Sequence, residues 1–177
     1  MNRYNQYYLE HVRLILLTKY NYNSFNEIQT FKRLDLSLDI KDTKTIVSGL
    51  SALLLLTNKG TYSSKKIGSS NHFKSESQKK LILKSCLFGP SIFFFIDNLI
   101  NYYIPRIRYF KGFNSKSLSA FGNLSFVFND LMVFPQLEDE LELFYKLKNL
   151  QMIILVGKKS VTNIAFFYSL FGLNFID

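Results

Sequence analysis

The 177-residue chain has no tryptophan, one cysteine, two histidines and three prolines. A lone Cys86 excludes an internal disulfide, and Cys86 with only His11 and His72 cannot assemble a zinc-ligand spacing. No triad-like spacing or oxyanion element accompanies those three residues, so an enzyme is not expected. Long apolar runs are missing as well. Ile46 to Leu56 is too short to span a bilayer, and Leu87 to Ile104 is interrupted by Gly89-Pro90, Asp97, Asn98 and Asn101. The amino terminus lacks the charged, apolar and small-residue succession of a secretory signal. Glu10 among several tyrosines does not suit an organellar presequence either. Acid is scarce too: 13 Asp+Glu stand against 22 Lys+Arg, giving a net charge of +9. That excess favours an anionic partner, with nucleic acid the first candidate and an anionic membrane surface the second.

What the chain does contain is apolar and aromatic. It is 47% hydrophobic, with 18 Phe and 11 Tyr, enough to build a core and unlike a disordered polypeptide. A single domain over residues 1–177 is expected, since no repeat or linker interrupts the pattern. The wealth of Phe, Tyr, Ile, Leu, Asn and Lys without Trp would follow from an A+T-rich coding sequence. We take this as a hypothesis of an organelle-encoded gene; finding the gene in a nuclear genome with a presequence would remove it.

Periodicity gives the elements. Tyr8, Val12, Ile15, Leu16 and Tyr20 recur at helical spacing and predict an amphipathic opening helix that Asn21 and Asn23 end. Leu34, Leu36 and Leu38 alternate with polar residues as in a half-buried strand. Thr43 to Leu56 reads as a largely buried helix. Residues 59–84 form a hairpin with a long basic tip, and its returning strand places Leu81, Leu83, Ser85 and Leu87 on one side. A helix begins at Pro90, carries Ile92, Phe95, Ile96, Leu99, Ile100 and Tyr103 on one stripe, and must stop before Pro105. Leu124 to Phe128 and Leu150 to Val156 are strands, the second central because both of its faces are apolar. Ser160 is placed to cap a last helix through Val161, Ile164, Ala165 and Tyr168. The order predicts an α+β fold, an antiparallel sheet with helices packed on one side.

The chemistry lies in clustered cations. Lys59, Lys65, Lys66, Lys74, Lys79, Lys80 and Lys84 face a single Glu76 around Gly68-Ser69-Ser70-Asn71. They suit phosphate contact, and equally a merely solvated surface. Arg106 and Arg108, separated by Ile107 and followed by Gly112, point the same way if extended and would present guanidinium groups to phosphate. Alternatively they pair with the acidic run Glu138, Asp139, Glu140 and Glu142. Phe93, Phe94, Phe95 and Phe126 fall where a core is built, whereas Tyr102, Tyr109 and Phe110, beside the arginines, are better placed to stack on bases.

Several anchors keep one order and spacing: Leu99-Ile100, Pro105-Arg106-Ile107-Arg108, Phe110, Gly112, Lys116-Ser117, Gly122-Asn123 and Phe134-Pro135. With Tyr7-Tyr8, Tyr20-Asn21-Tyr22-Asn23-Ser24 and Phe171-Gly172-Leu173-Asn174-Phe175 at the ends, the chain resembles the 5S-rRNA-binding L five family of the large ribosomal subunit, in its bacterial and organellar form. The resemblance implies a non-catalytic, cofactor-free protein of the central protuberance in a mitochondrial ribosome. Its partners would be 5S rRNA and large-subunit rRNA, other central-protuberance proteins, the P-site tRNA, and a small-subunit head protein of the S thirteen type. The tRNA contact would fall at the hairpin tip, about Ser63 to Lys79. The intersubunit bridge would fall at about Tyr109 to Ser119, with Tyr109, Phe110, Lys111, Gly112 and Lys116 as contacts. Ser37 and Asn58 occupy positions of the 5S rRNA surface, where the family usually has Asn and Gln. Cys86 and Phe88 replace the usual Thr and Arg, so the 5S contact is expected to be rewired. The competing class is an organellar membrane-associated basic interaction protein, favoured by the Phe-rich runs and the positive charge.

Overall fold

A computed structural model describes residues 3–40, 43–66, 80–157 and 164–176. They form a mixed α+β fold with an antiparallel sheet and helices packed on it. The five-stranded sheet has the order β2-β3-β1-β6-β5, where β1 is Thr30–Ile40, β2 Tyr62–Lys66, β3 Lys80–Phe88, β5 Leu124–Asp130 and β6 Lys148–Gly157. As its two-sided apolar pattern requires, β6 lies between two neighbours. A separate parallel pair joins β4, Phe113–Asn114, to β7, Phe175–Ile176. The chain gathers into two compact units, one of Met1–Leu34, Leu87–Phe126 and Ile153–Asp177, the other of Asp35–Cys86 and Val127–Met152.

The first unit is built on aromatic rings. Its opening helix runs through α1, Arg3–Tyr7, a π-turn at Tyr8–Val12 and α2, Arg13–Tyr20, and buries Tyr8, Val12 and Leu16 along one stripe. Asn21 ends it at φ 50°, a left-handed conformation that asparagine tolerates. Phe31 from β1 meets Phe167 at 4.8 Å and Phe171 at 5.0 Å, both from the carboxyl end, where α7 is Ile164–Leu170. Such tilted ring pairs bury large apolar areas and add about 0.5–1.5 kcal/mol each beyond area alone. The buried Tyr168 hydroxyl donates to the carbonyls of Gly122 at 3.1 Å and Ile154 at 3.4 Å, and burial raises its pKa. Ser160 and Val161, expected to open α7, lie outside the described residues.

Two expectations in this unit need correction. The helix after Gly89 does not stop before Pro105. Helix α4, Pro90–Asn98, passes through a π-turn at Leu99–Tyr103 into α5, Ile104–Arg106, and the chain leaves helical geometry only at Ile107, where ψ is 118°. Pro105 has no N–H to donate, and the wider π-turn, in which the Ile104 N–H reaches the Leu99 carbonyl, carries the helix past it. Phe94, expected in the core, is 57% exposed, whereas Phe93 and Phe95 are buried. At 100° per residue, three successive rings cannot all face one surface.

The second unit is mainly aliphatic. Helix α3, Ile46–Thr57, buries Gly49, Ala52, Leu53 and Leu56. A side chain at Gly49 would come within 2.5 Å of Ile40 and 2.8 Å of Leu83, so glycine permits the helix to approach the sheet this closely. The expectation of a largely buried helix holds on that face only, because Val47, Leu54 and Leu55 are exposed. Beneath α3, Thr57 donates to the Leu53 carbonyl at 2.7 Å and shares a 3.0 Å hydrogen bond with Ser85, which satisfies two buried hydroxyls.

Candidate nucleic-acid interface

Beyond α5 the chain forms a short displayed loop. Arg106, Arg108, Tyr109 and Lys111 are exposed. Arg106 closes the helix, so the extended geometry imagined for the two arginines begins only at Ile107. Tyr109 is 95% exposed at φ 59°. A bulky residue in the left-handed region is uncommon, and strain of that kind concentrates at functional sites. Phe110, expected to face a partner, is half-buried and meets Phe113 edge-on at 5.1 Å and Phe126 at 6.0 Å. It works as the plug under the loop.

The far end of the loop is pinned. Gly112 has φ 145°, and a side chain there would press within 2.8 Å of Ile176 and 3.2 Å of the Asn174 carbonyl. Next to it, the Phe113 N–H donates to the Asn174 carbonyl at 2.9 Å, and Phe113 pairs with Phe175 in the β4–β7 ladder. The Asn114 side chain accepts from the Lys116 N–H at 2.9 Å, holding the turn Ser115–Ser117 with Lys116 exposed. Three cations and a tyrosine are thus presented between a helix end and a fixed strand.

A second cationic place in the same unit was not foreseen from sequence. Tyr8, Arg13, Phe25, Asn26, Thr30 and Lys32 line part of a cleft of about 410 Å³. The Arg13 guanidinium lies over the Phe25 ring, 4.7 Å from its centre. Gly157 also lines the cleft, and a side chain there would overlap Lys32, so glycine leaves room for the lysine stem. Tyr8 donates to the Gln29 carbonyl at 3.1 Å, and burial pushes its phenol up to about 12, so it adds no negative charge near neutral pH. In sequence, Arg13 reads only as the polar side of a helix and Lys32 as one of the charges along a strand beside Arg33 and Asp35; the aromatic that orients Arg13 stands twelve residues away on a turn.

Known proteins similar to this chain cover nearly its whole length. Residues 81–175 match the model of the C-terminus of the ribosomal L5 family. Large ribosomal subunit protein uL5m of Reclinomonas americana is 28% identical over 164 residues, 90% of each chain. Large ribosomal subunit protein uL5 of Ruminiclostridium cellulolyticum is 27% identical over 180 residues, covering 99% of this chain and 98% of that one. The chain belongs to the ribosomal L5 family. It is accordingly a structural, non-enzymatic protein of the large ribosomal subunit, and its partners are ribosomal RNA and the ribosome.

Of the other residues singled out in this family member, Lys59 and Asn58 are exposed, and Asn58 is also the left-handed cap of α3 at φ 49°, its N–H bonded to the Leu54 carbonyl at 2.8 Å. Lys84 is half-buried, and Ser37 keeps only 9% of its surface. Strands β2 and β3 pair antiparallel, with Lys65 opposite Leu81 and Lys66 opposite Lys80 in register. Lys74 and Lys79 lie outside the described residues. Cys86, a weak donor, shares a 3.1 Å contact with the Tyr62 hydroxyl, and Phe88 is exposed. Among the described residues no helix is long and apolar enough to cross a membrane, and no group of His, Cys, Asp or Glu is arranged to hold a metal.

Proposed function

We propose that this chain is a mitochondrial member of the family, holding 5S rRNA, or the rRNA in its place, in the central protuberance. Its basic hairpin leans toward the P-site tRNA, and residues 109–119 touch a small-subunit head protein of the S thirteen type. The observation that carries this reading is the displayed loop, in which Arg106, Arg108 and Lys111 stand exposed around a strained Tyr109 while Gly112 and Phe113 fix its base. The Arg13–Lys32 cleft adds a place for an unstacked nucleotide, with cations for phosphate and a ring at hand. The likeness to uL5m and the A+T-type composition support the mitochondrial and organelle-encoded assignment. We also take residues 1–177 as one folding domain, for which a single thermal transition by every probe is the test.

The deciding experiment is cosedimentation with large subunits at moderate salt, together with binding of a 5S rRNA transcript at several salt concentrations. Each of Arg106→Ala and Arg108→Ala is expected to lower the slope of log affinity against log salt by about 0.7 to 0.9. A slope unchanged in both variants would remove these residues from the RNA surface. Retention in detergent-sensitive membranes after ribosome release would favour the membrane-associated class instead.

A further inference from the structure

Helix α3 has no charged residue in twelve positions. Its buried stripe, centred on Gly49, Ala52, Leu53 and Leu56, faces the core of the second unit. On the opposite side Val47 and Leu54 stand seven residues apart, two helical turns on one line, 75% and 51% exposed. Leu55 widens that line, and Ser51, which lies on it between Val47 and Leu54, turns its hydroxyl back to the Ser48 carbonyl at 3.0 Å, so the outer face of this helix is largely apolar.

In the same unit α3 contacts both the 3-10 segment Pro135–Glu140 and α6, Leu141–Phe144. These carry Glu138, Asp139, Glu140 and Glu142, all exposed, with no cation before Lys146. Between and after the acids, Leu141, Leu143 and Tyr145 are exposed as well. In a chain of net charge +9, this is a localised reversal of sign beside uncovered hydrocarbon.

The combination selects its occupant. Phosphodiesters gain nothing from Val47 and Leu54 and are repelled by the carboxylates, and the same repulsion disfavours an anionic lipid surface. A second copy docked through this patch would set acid against acid, because a two-fold contact joins a patch to itself. A helix with an apolar stripe flanked by Lys and Arg satisfies both halves at once, the helix-in-groove mode of recognition. We propose that the outer face of α3 and the acidic segment 138–142 seat a basic amphipathic helix of a neighbouring protein in the ribosomal particle. This surface is independent of the RNA-facing residues and goes beyond the RNA reading.

The test places a photo-crosslinking phenylalanine derivative at Val47 in the full chain within intact large subunits. The expected product is one protein adduct, at a segment whose sequence is helical, apolar on one stripe and basic at its rim. Adducts to rRNA, lipid or a second copy of this chain would overturn the proposal, as would no adduct. A second measurement uses the purified full chain and a Leu/Lys amphipathic peptide of about five turns, followed by fluorescence anisotropy. Val47→Asp with Leu54→Asp, and separately charge reversal at Asp139, Glu140 and Glu142, should each weaken that peptide by at least about tenfold. Equal binding of a peptide of scrambled sequence, or no loss in either variant, counts against the site. 5S rRNA binding by the Val47→Asp, Leu54→Asp chain should be unchanged, so failure here is separable from failure of the RNA reading.

Discussion

Two clefts of similar size in the first unit combine arginine with aromatic rings, yet only one is fit for an anion. In the cleft of about 460 Å³ lined by Arg3, Tyr4, Tyr7, Asn101 and Phe171, the Arg3 guanidinium is held by Asp97, with Nε donating to both carboxylate oxygens at 3.0 and 3.1 Å. Asn101 donates to the same carboxylate at 2.6 Å. One edge of the guanidinium fork that would meet a phosphate, Nε and one terminal nitrogen, is already engaged, and its charge is paired with a carboxylate. In the Arg13–Lys32 cleft the guanidinium is oriented by the face of Phe25, and no carboxylate among the described residues pairs with either cation. A ring orients an arginine without neutralising it, and a carboxylate orients it at the cost of its charge. Cation–aromatic composition therefore does not distinguish these sites; the partner of the guanidinium does.

The largest way to break this comparison is through the wall of the neutralised cleft. Phe171 is buried against Tyr8, Phe31, Phe93 and Phe167. Phe171→Ala should destabilise the fold by about 3 to 5 kcal/mol, read by denaturant titration, and leave the salt slope of RNA binding unchanged in the fraction that folds. A loss of slope would assign RNA to this cleft too. Next in size is the double change Arg13→Ala with Lys32→Ala, which should lower the slope by about 1.4 to 1.8 with little movement of Tm. An unchanged slope would reduce the second cleft to a crevice.

Much of this arrangement was legible in the sequence, for reasons that also explain what was not. Strands β1, β5 and β6 follow from alternation, and the opening helix from the four-residue step of Tyr8, Val12 and Leu16, because burial on one face imposes those periods. Consecutive apolar residues carry no such information: Phe93, Phe94 and Phe95 look alike in sequence, and only the helix phase exposes Phe94. The same ambiguity hid the outer face of α3, since Val47 and Leu54 differ from Leu53 only in direction. Pro105 misled because a π-turn before it restarts the helix. At the site, Arg106 and Arg108 were visible as a local motif, whereas the pairing of Arg13 with Phe25, and of Arg3 with Asp97 across 94 positions, is tertiary and leaves no spacing to read.

Ionisation offers a smaller probe of the cationic cleft. Tyr8 lines it, and burial holds its phenol up to about 12, above the ordinary value near 10. The folded state therefore keeps a proton that the unfolded chain releases. The stability this group contributes is full below pH 10 and declines as pH rises from there through about 12. Tyr8→Phe should flatten that part of the curve. An undiminished decline would assign the alkaline loss to other groups, such as Tyr168, whose pKa is raised by the same burial.

The lysine-rich run 59–84 extends the comparison to cations clustered in sequence. Changing Lys65, Lys66 and Lys74 together to Ala should weaken RNA or tRNA contact and shift Tm little; equal losses of both would contradict a division between RNA-binding and core residues.

The smallest and sharpest change converts one cleft toward the other. Asp97→Asn keeps the shape of the acceptor and removes its charge, so Arg3 is no longer neutralised while the bonds from Asn101 and Arg3 retain an oxygen to reach. Because this ion pair is exposed on the arginine side, Tm should move little. If charge cancellation is what silences the cleft, the variant should gain nonspecific RNA affinity, with a slope steeper by about 0.7 to 0.9. If the slope stays put, cleft shape rather than the guanidinium's partner separates the two sites, and the argument from Asp97 fails.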